Sequence, residues 1–208
     1  MEKLDLKKEY KELYNAGLKA AKAPVMVKVP KFKYLMYDGK GDPNTSQEFQ
    51  DAMMALYGTA YTLKFMCKLG PVGKDWGVMP LQALWWSDDM NDFRTGKKEN
   101  WMWTCMILQP DFVTKKLVEE AMEQLREKKD PPGLDKLRFD SYSEGKAGQI
   151  LHIGPYAEEG PTIEKLHHFI LDKGYTLEGK HHEIYLSDPR RTKPEKLKTI
   201  IRQPVKKA

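Results

Sequence analysis

Residues 84–88 read LWWSD, and residues 184–188 read IYLSD. The segments that follow them match again, with ILQP at 107–110 and IRQP at 201–204. Both matches fall in the same series of elements, in which a strand, a glycine turn, a helix and two more strands follow one another. The shared order indicates an internal duplication, with pseudo-repeats at about 32–110 and 137–205.

The duplication predicts the fold class. We expect an α+β fold in which two β-α-β-β units form one largely antiparallel sheet with helices on one face. Successive side chains of a strand point to opposite faces of the sheet. Ile184 is apolar and is expected to face the helices, so Glu183 and Tyr185 are expected to face away from them.

Aromatic residues are predicted to surround Glu183 on that side of the sheet. Trp85 aligns with Tyr185 across the repeat, and Trp101 and Trp103 share one side of the following strand. A carboxylate ringed by aromatic side chains can attract a cation or accept a proton from water. The alternatives are an exposed carboxylate on a solvated sheet face, and tryptophans that only fill the core.

Composition excludes several functional classes. The chain has 208 residues and a net charge of +5 that is spread along it, without the basic patch or the motifs of a nucleic-acid binder. Cys67 and Cys105 are too few for a disulfide scaffold and are expected to be reduced and buried. No apolar run is long enough to span a membrane, and no signal peptide is apparent, so a cytoplasmic location is expected. Residues 1–24 are predicted to be a helical extension ahead of one domain at 25–208.

Three segments carry a family resemblance: LHIGPY at 151–156, EIYLSDP at 183–189 and TIIRQPV at 199–205. In their order and spacing the chain resembles the GyrI-like small-molecule-binding proteins, whose fold also serves as the effector domain of BmrR-type multidrug regulators. The opening DLKKEY at 5–10 and the turn GKGDP at 39–43 resemble a stand-alone subgroup of that family. The likeness covers about 25–205.

The resemblance implies a paired SHS2-type fold with a cleft between the halves. The predicted fold class places the ligand cleft on the sheet face away from the helices. It implies binding of flat, hydrophobic and often cationic compounds, with Glu183 at the place of the family's central glutamate. Some stand-alone members are cyclopropanoid cyclopropyl hydrolases, which use water to open the strained ring of DNA-alkylating natural products. No DNA-binding helix pair precedes the domain in this sequence, so a regulator role is not expected.

The candidate site follows from the residues and the resemblance together. Glu183 and Tyr185 are the predicted catalytic residues, with Glu183 as the base that activates water. The predicted ligand-binding residues are Tyr37, Trp85, Trp101, Trp103 and His152, although a purely structural role is the alternative for His152. Two functions stay open: a cyclopropane hydrolase and a non-catalytic multidrug-binding or sensing module.

We expect hydrophobic or cationic aromatic small molecules as partners, and neither nucleic acid nor membrane. No cofactor is expected. The histidine pairs at 167–168 and 181–182 are adjacent, and neighbours on a strand point to opposite faces, so no metal site is predicted. The sequence leaves the oligomeric state open.

Overall fold

The computed structural model describes residues 3–14, 23–89 and 91–208. The duplication is visible in the order of its elements, because each repeat consists of a strand, a helix and two strands. The first repeat is β2 (Val25–Lys40), α3 (Gln47–Leu69), β4 (Leu81–Trp86) and β5 (Met102–Gln109). The second is β6 (Arg138–Ile153), α6 (Gly160–Asp172), β8 (His181–Tyr185) and β9 (Lys198–Lys207).

Shorter elements surround the repeats. They are β1 (Lys3–Leu4), α1 (Leu6–Glu9), α2 (Lys11–Tyr14), β3 (Asp75–Trp76), α4 (Asn91–Thr95), α5 (Lys115–Lys128) and β7 (Tyr175–Leu177). The helices α1 and α2 lie in the predicted N-terminal extension, while residues 15–22 of that extension lie outside the described residues.

Seven strands are hydrogen-bonded in the order β6-β2-β5-β4-β8-β9-β7, with a further pairing of β6 and β9. The pairs β2–β5, β6–β9, β7–β9 and β8–β9 are all antiparallel. The α+β class, the duplicated units and the largely antiparallel sheet are therefore confirmed.

The chain divides into two compact units. Unit 1 comprises the described residues within Met1–Leu6, Phe32–Met79 and Trp85–Tyr142, and unit 2 those within Lys7–Lys31, Pro80–Leu84 and Ser143–Ala208. In unit 1, α3 packs on α5 and β5. In unit 2, α6 packs on β7 and β9.

Local sequence explains where α3 begins and how β6 bends. The Ser46 hydroxyl accepts a hydrogen bond from the Phe49 N–H at 3.2 Å, so Ser46 caps α3 as its sequence position predicts. Segments 137–143 and 149–153, predicted as separate strands, belong to the single strand β6. Gly145 lies inside it with φ 73°, a value that only glycine adopts readily, and lets the strand bend without ending.

The side of β8 that carries Glu183 differs from the prediction. Glu183 stands opposite Ile201 on β9, and paired residues of an antiparallel sheet share a face. Ile201 belongs to the core cluster with Leu166 and Ile170 of α6. Glu183 and Tyr185 therefore lie on the side that α6 covers, and the expectation that they face away from the helices is wrong.

The opposite side of β8 explains the error. His182 lies there, completely buried, among other buried polar groups on the side opposite α6. Ile184 is buried on that side too, so an apolar residue on this strand does not identify the helix-facing side. Simple polarity rules fail where a strand has a buried polar network behind it.

Candidate functional site

The carboxylate of Glu183 is held by its two neighbours on the same side of β8. His181 donates its Nε2–H to Oε1 at 3.0 Å, and the Tyr185 hydroxyl donates to Oε2 at 2.6 Å. The i, i+2 spacing of a strand places all three side chains together. The Glu183 side chain keeps 14% of its surface exposed, so solvent reaches it.

A second carboxyl group lies against this one. Glu159 stands immediately before α6, is only 4% exposed, and is in hydrogen-bonding contact with Glu183. Its Oε1 is buried and accepts no hydrogen bond from any residue within 3–14, 23–89 or 91–208. A proton on Glu159 would let it donate to Glu183, which relieves the repulsion of two adjacent carboxylates.

The surroundings push the two pKa values apart. Burial, followed by the negative charge of Glu183, raises the pKa of Glu159 to about 9. Burial also opposes ionisation of Glu183, but the hydrogen bonds from His181 and Tyr185 outweigh it and hold the pKa of Glu183 below its ordinary value. At neutral pH the pair therefore holds one proton, on Glu159, and one negative charge, on Glu183. We call Glu183, Glu159, His181 and Tyr185 the open carboxyl cluster.

Aromatic surface adjoins the open carboxyl cluster within unit 2. The ring of Tyr156 meets the ring of Tyr185 edge to face, with centroids 5.6 Å apart. Tyr156 is 39% exposed. A flat compound can pack on such a ring while its polar or cationic part approaches the carboxylate.

The predicted ligand-binding aromatics lie in unit 1, where they form a continuous group of ring contacts. Trp103 stacks on Tyr37 with centroids 6.2 Å apart, and Trp85 contacts Trp101 at 5.9 Å. Phe49 of α3 touches both Trp85 and Trp103, at 6.4 and 5.1 Å, and so joins the two pairs. The structure thus brings together Tyr37, Trp85, Trp101 and Trp103.

The sequence placed Trp103 on an open face of the sheet. In the structure Trp103 is fully buried. Gly39 is its partner on β2, and a β-carbon there would stand only 2.2 Å from the indole. The indole fills the space that the missing side chain leaves. Trp85 is 5% exposed, whereas Trp101 is only partly buried and carries Lys98 Nζ 5.5 Å from its ring centroid. Trp101 is therefore the most accessible of these tryptophans to a ligand.

Both ring nitrogens of His152 have hydrogen-bond partners in its own chain. Its Nδ1 lies 3.0 Å from the Thr162 hydroxyl and its Nε2 lies 3.2 Å from the Pro155 carbonyl. The bond to Thr162 ties the end of β6 to α6. This arrangement fits the purely structural role that was the alternative to ligand binding for His152.

A second glutamate cluster lies on the other side of β8, and we call it the closed carboxyl cluster. Glu144 accepts hydrogen bonds from His182 Nδ1–H at 2.9 Å and from Arg202 at 3.0 Å. Arg202 also donates to Gln149 Oε1 and to the Leu13 carbonyl. Each of these groups has a partner, and the side chain of Glu144 is only 1% exposed.

The closed carboxyl cluster also holds the end of the N-terminal helix α2. The carbonyls of Glu12 and Leu13, at the end of α2, accept hydrogen bonds from Gln149 and Arg202 at 2.8 and 3.0 Å. Tyr14, 1% exposed, accepts from the Gln82 amide at 3.0 Å. The last carbonyls of a helix need partners, and here the buried cluster supplies them.

Sequence reasoning missed Glu159, His181 and Tyr156. Glu159 stands outside the predicted strands, and only tertiary packing brings it to Glu183. His181 stands two residues before Glu183, so strand periodicity places the two side chains on the same side of β8. Within the part of the chain that the structure describes, no group of three or more His, Cys, Asp or Glu side chains could hold a metal ion. Nor does any helix described there have the length and apolar character to cross a membrane.

Residues 22–206 match the model of the GyrI-like small molecule binding domain. This chain belongs to the GyrI-like family. The match leaves out most of the segment predicted as an N-terminal extension. Small-molecule binding is therefore the function that the family membership supports.

Similar structures are known from Listeria innocua. An uncharacterized conserved protein is 40% identical to this chain, with a TM-score of 0.90 over 98% of this chain and 100% of that one. A hydrolase from the same organism is also 40% identical, with a TM-score of 0.85 over 98% and 100%. The C-terminal domain of EcmrR is 15% identical, with a TM-score of 0.55 over 89% and 98%, and shares the fold alone. A search of curated proteins gave no match.

Proposed function

We propose that the open carboxyl cluster hydrolyses small hydrophobic compounds whose cyclopropane ring is activated by a conjugated carbonyl group, as in DNA-alkylating agents. The observation that carries this proposal is the pair of adjacent carboxyl groups, Glu159 and Glu183, in opposite protonation states. Pairs of this kind can supply a base and an acid in one reaction. The 40% identical hydrolase from Listeria innocua adds support for a hydrolytic role.

The proposed reaction is addition of water across one ring bond. Glu183 takes a proton from a water molecule as its oxygen forms a bond to the electrophilic ring carbon. The ring carbon–carbon bond breaks, and its electron pair moves to the conjugated carbonyl oxygen, which receives the proton of Glu159. Transfer of the proton from Glu183 to Glu159 then restores the starting state, so the net change is the addition of one water molecule.

Each neighbour has a role in this scheme. Tyr185 and His181 stabilise the ionised form of Glu183 and fix its orientation. Tyr156 supplies a ring edge and an exposed face for a planar substrate. A separate contact with planar ligands is proposed for Trp101 of unit 1, the least buried of the predicted tryptophans.

The test is turnover by the purified protein. A cyclopropane-bearing alkylator is incubated with the wild type, with Glu183→Gln, and with Glu195→Gln as a control that removes an exposed carboxylate outside the cluster. We expect ring-opened product, heavier than the substrate by one water molecule in the mass spectrum, with wild type and Glu195→Gln, and none above background with Glu183→Gln. Equal turnover in Glu183→Gln would remove the role assigned to Glu183.

A second candidate function is non-catalytic binding of planar cations. It is favoured by the negative charge that His181 and Tyr185 maintain on Glu183 beside two aromatic rings. Stoichiometric binding without product would support this function and end the hydrolase proposal. Dye affinity that is the same for wild type and Glu183→Gln would count against charge pairing.

A further inference from the structure

An exposed apolar stripe runs along the outer face of α3 in unit 1. It takes no part in the proposed chemistry. It consists of Met54, Tyr57, Tyr61, Phe65 and Leu69, which recur every three or four residues and so share one side of the helix. Met54, Tyr61, Phe65 and Leu69 are 45%, 49%, 48% and 81% exposed. The solvent face of a helix in a globular protein ordinarily carries charged residues, and this row has none.

A groove opens beside the C-terminal half of this stripe. It has a volume of about 490 Å³ and lies between α3 and α5, with Phe65, Met66 and Leu69 on one side and Gln124 and Lys128 on the other. The stripe therefore has a ridge of large side chains and, at one end, a depression that can receive one.

We propose that the α3 stripe is the interface of a homodimer in which the α3 helices of two copies pack antiparallel about a two-fold axis near Tyr61. Such an axis requires a surface that complements itself after rotation. Met54 and Leu69 lie seven and eight residues from Tyr61, so rotation brings the Leu69 end of one copy to the Met54 end of the other. The groove of each copy then receives apolar side chains from the N-terminal half of the other helix.

Charge complementarity selects the antiparallel arrangement. The N-terminal part of α3 carries Asp51, whereas Lys128 of α5 stands at the other end of the stripe; Glu48 and Lys68 are already paired with Lys136 and Asp75 of their own chain. Antiparallel packing sets acids against bases, and parallel packing would set like charges against each other. The helix dipoles also favour the antiparallel pair.

The size of the stripe sets the expected affinity. The exposed area of its five side chains is on the order of 400 Å², about half of the ~800 Å² per partner of a stable standard interface. We therefore expect a reversible dimer that forms in the micromolar range rather than an obligate one.

Sedimentation velocity over a concentration series from low to several hundred micromolar tests the proposal. We expect a monomer–dimer equilibrium for the wild type. For Phe65→Asp we expect the dissociation constant of the dimer to rise at least about 30-fold. Leu171→Asp is the control, because Leu171 is also exposed, at 53%, but lies on α6 of unit 2. Far-UV circular dichroism checks that the variants fold, and Leu69→Asp, at the last residue of α3, replaces Phe65→Asp if that variant does not.

A charge exchange tests the antiparallel arrangement. Lys128→Glu should weaken the dimer, and the double variant Asp51→Lys with Lys128→Glu should restore it. A wild-type protein that stays monomeric at every concentration overturns the proposal, even if the stripe proves to hold the protein on lipid vesicles. A Phe65→Asp protein that dimerises like the wild type, or a double variant that is not restored, overturns it as well.

Discussion

Glu144 and Glu183 both accept a hydrogen bond from a histidine of β8, yet they lie on opposite sides of that strand in opposite surroundings. Glu144 is 1% exposed, and its partners His182 and Arg202 satisfy its oxygens. Glu183 is 14% exposed and lies beside a second carboxyl group instead of a cation.

The difference separates a cluster suited to a structural role from one suited to the proposed chemistry. Burial opposes ionisation of Glu144, but His182 and Arg202 together lower its pKa to about 2, so it stays a carboxylate with no proton to exchange near neutral pH. The open carboxyl cluster holds an ionised and a protonated carboxyl group in contact, within reach of solvent. A satisfied, closed network fixes a fold, whereas a partly accessible carboxyl pair with separated pKa values can move protons.

The largest expected effect is on turnover when Glu183 becomes Gln. This change keeps the shape of the side chain and removes the base, so hydrolysis should fall by about 10²- to 10⁴-fold. The melting temperature should stay close to that of the wild type. Steady-state kinetics and a thermal melt check both, and a loss of folding together with activity would mean that this cluster is structural too.

The matching change in the closed carboxyl cluster should lower stability instead of turnover. Glu144→Gln leaves Arg202 buried without its counter-charge, which should cost about 3–5 kcal/mol of unfolding free energy. Chemical denaturation measures this loss. A cost below about 1 kcal/mol would contradict the structural role.

Acid should reproduce part of that loss. The pKa of Glu144 is lower in the folded state than in the unfolded state. The contribution of Glu144 to the free energy of unfolding is therefore complete above the ordinary glutamate pKa and is lost as the pH falls toward 2. Denaturation midpoints between pH 5 and pH 2.5 should fall more steeply for wild type than for Glu144→Gln.

Glu159 should set the alkaline limit of activity. Its pKa of about 9 means that the proton is present at neutral pH and is lost as the pH rises through that value. Turnover should therefore decline above about pH 9 in the wild type. Glu159→Gln should show a lower rate and no such decline. A decline that persists in this variant would assign the alkaline limit to another group.

Tyr185→Phe should have the smallest effect. It removes one hydrogen bond to the Glu183 carboxylate, which should lower turnover about tenfold. Because that bond helps hold the pKa of Glu183 down, the acid limb of the pH–rate profile should also move to higher pH. An unchanged acid limb would show that Tyr185 does not hold the charge on Glu183.

Much of the fold could be predicted, because the repeat of LWWSD and IYLSD reports local strands and their order. The placement of Glu183 beside Tyr185 followed from strand periodicity alone. The helix-facing side could not be predicted, since Ile184 lies over a buried polar network and Glu183 lies under α6. The partnership of Glu159 with Glu183 depends on how α6 packs on the strands, and no local pattern reports that.

Among the aromatics, sequence identified the group but not the exposure of its members. Trp85, Trp101 and Trp103 do meet in space. Trp103 is nevertheless fully buried over Gly39, a consequence of the strand register of β2 and β5. Register depends on long-range pairing, which the spacing of tryptophans within one strand does not reveal.

The claim on which the account depends is that Glu159 and Glu183 share one proton at neutral pH. Carbon-13 NMR of the glutamate side-chain carboxyl groups across a pH titration measures this directly, with Glu159→Gln and Glu183→Gln assigning the signals. We predict one resonance that titrates near pH 9 and disappears in Glu159→Gln, and another, from Glu183, that is already ionised below the ordinary glutamate value. Two carboxyl groups that both titrate below about pH 5 would contradict the account.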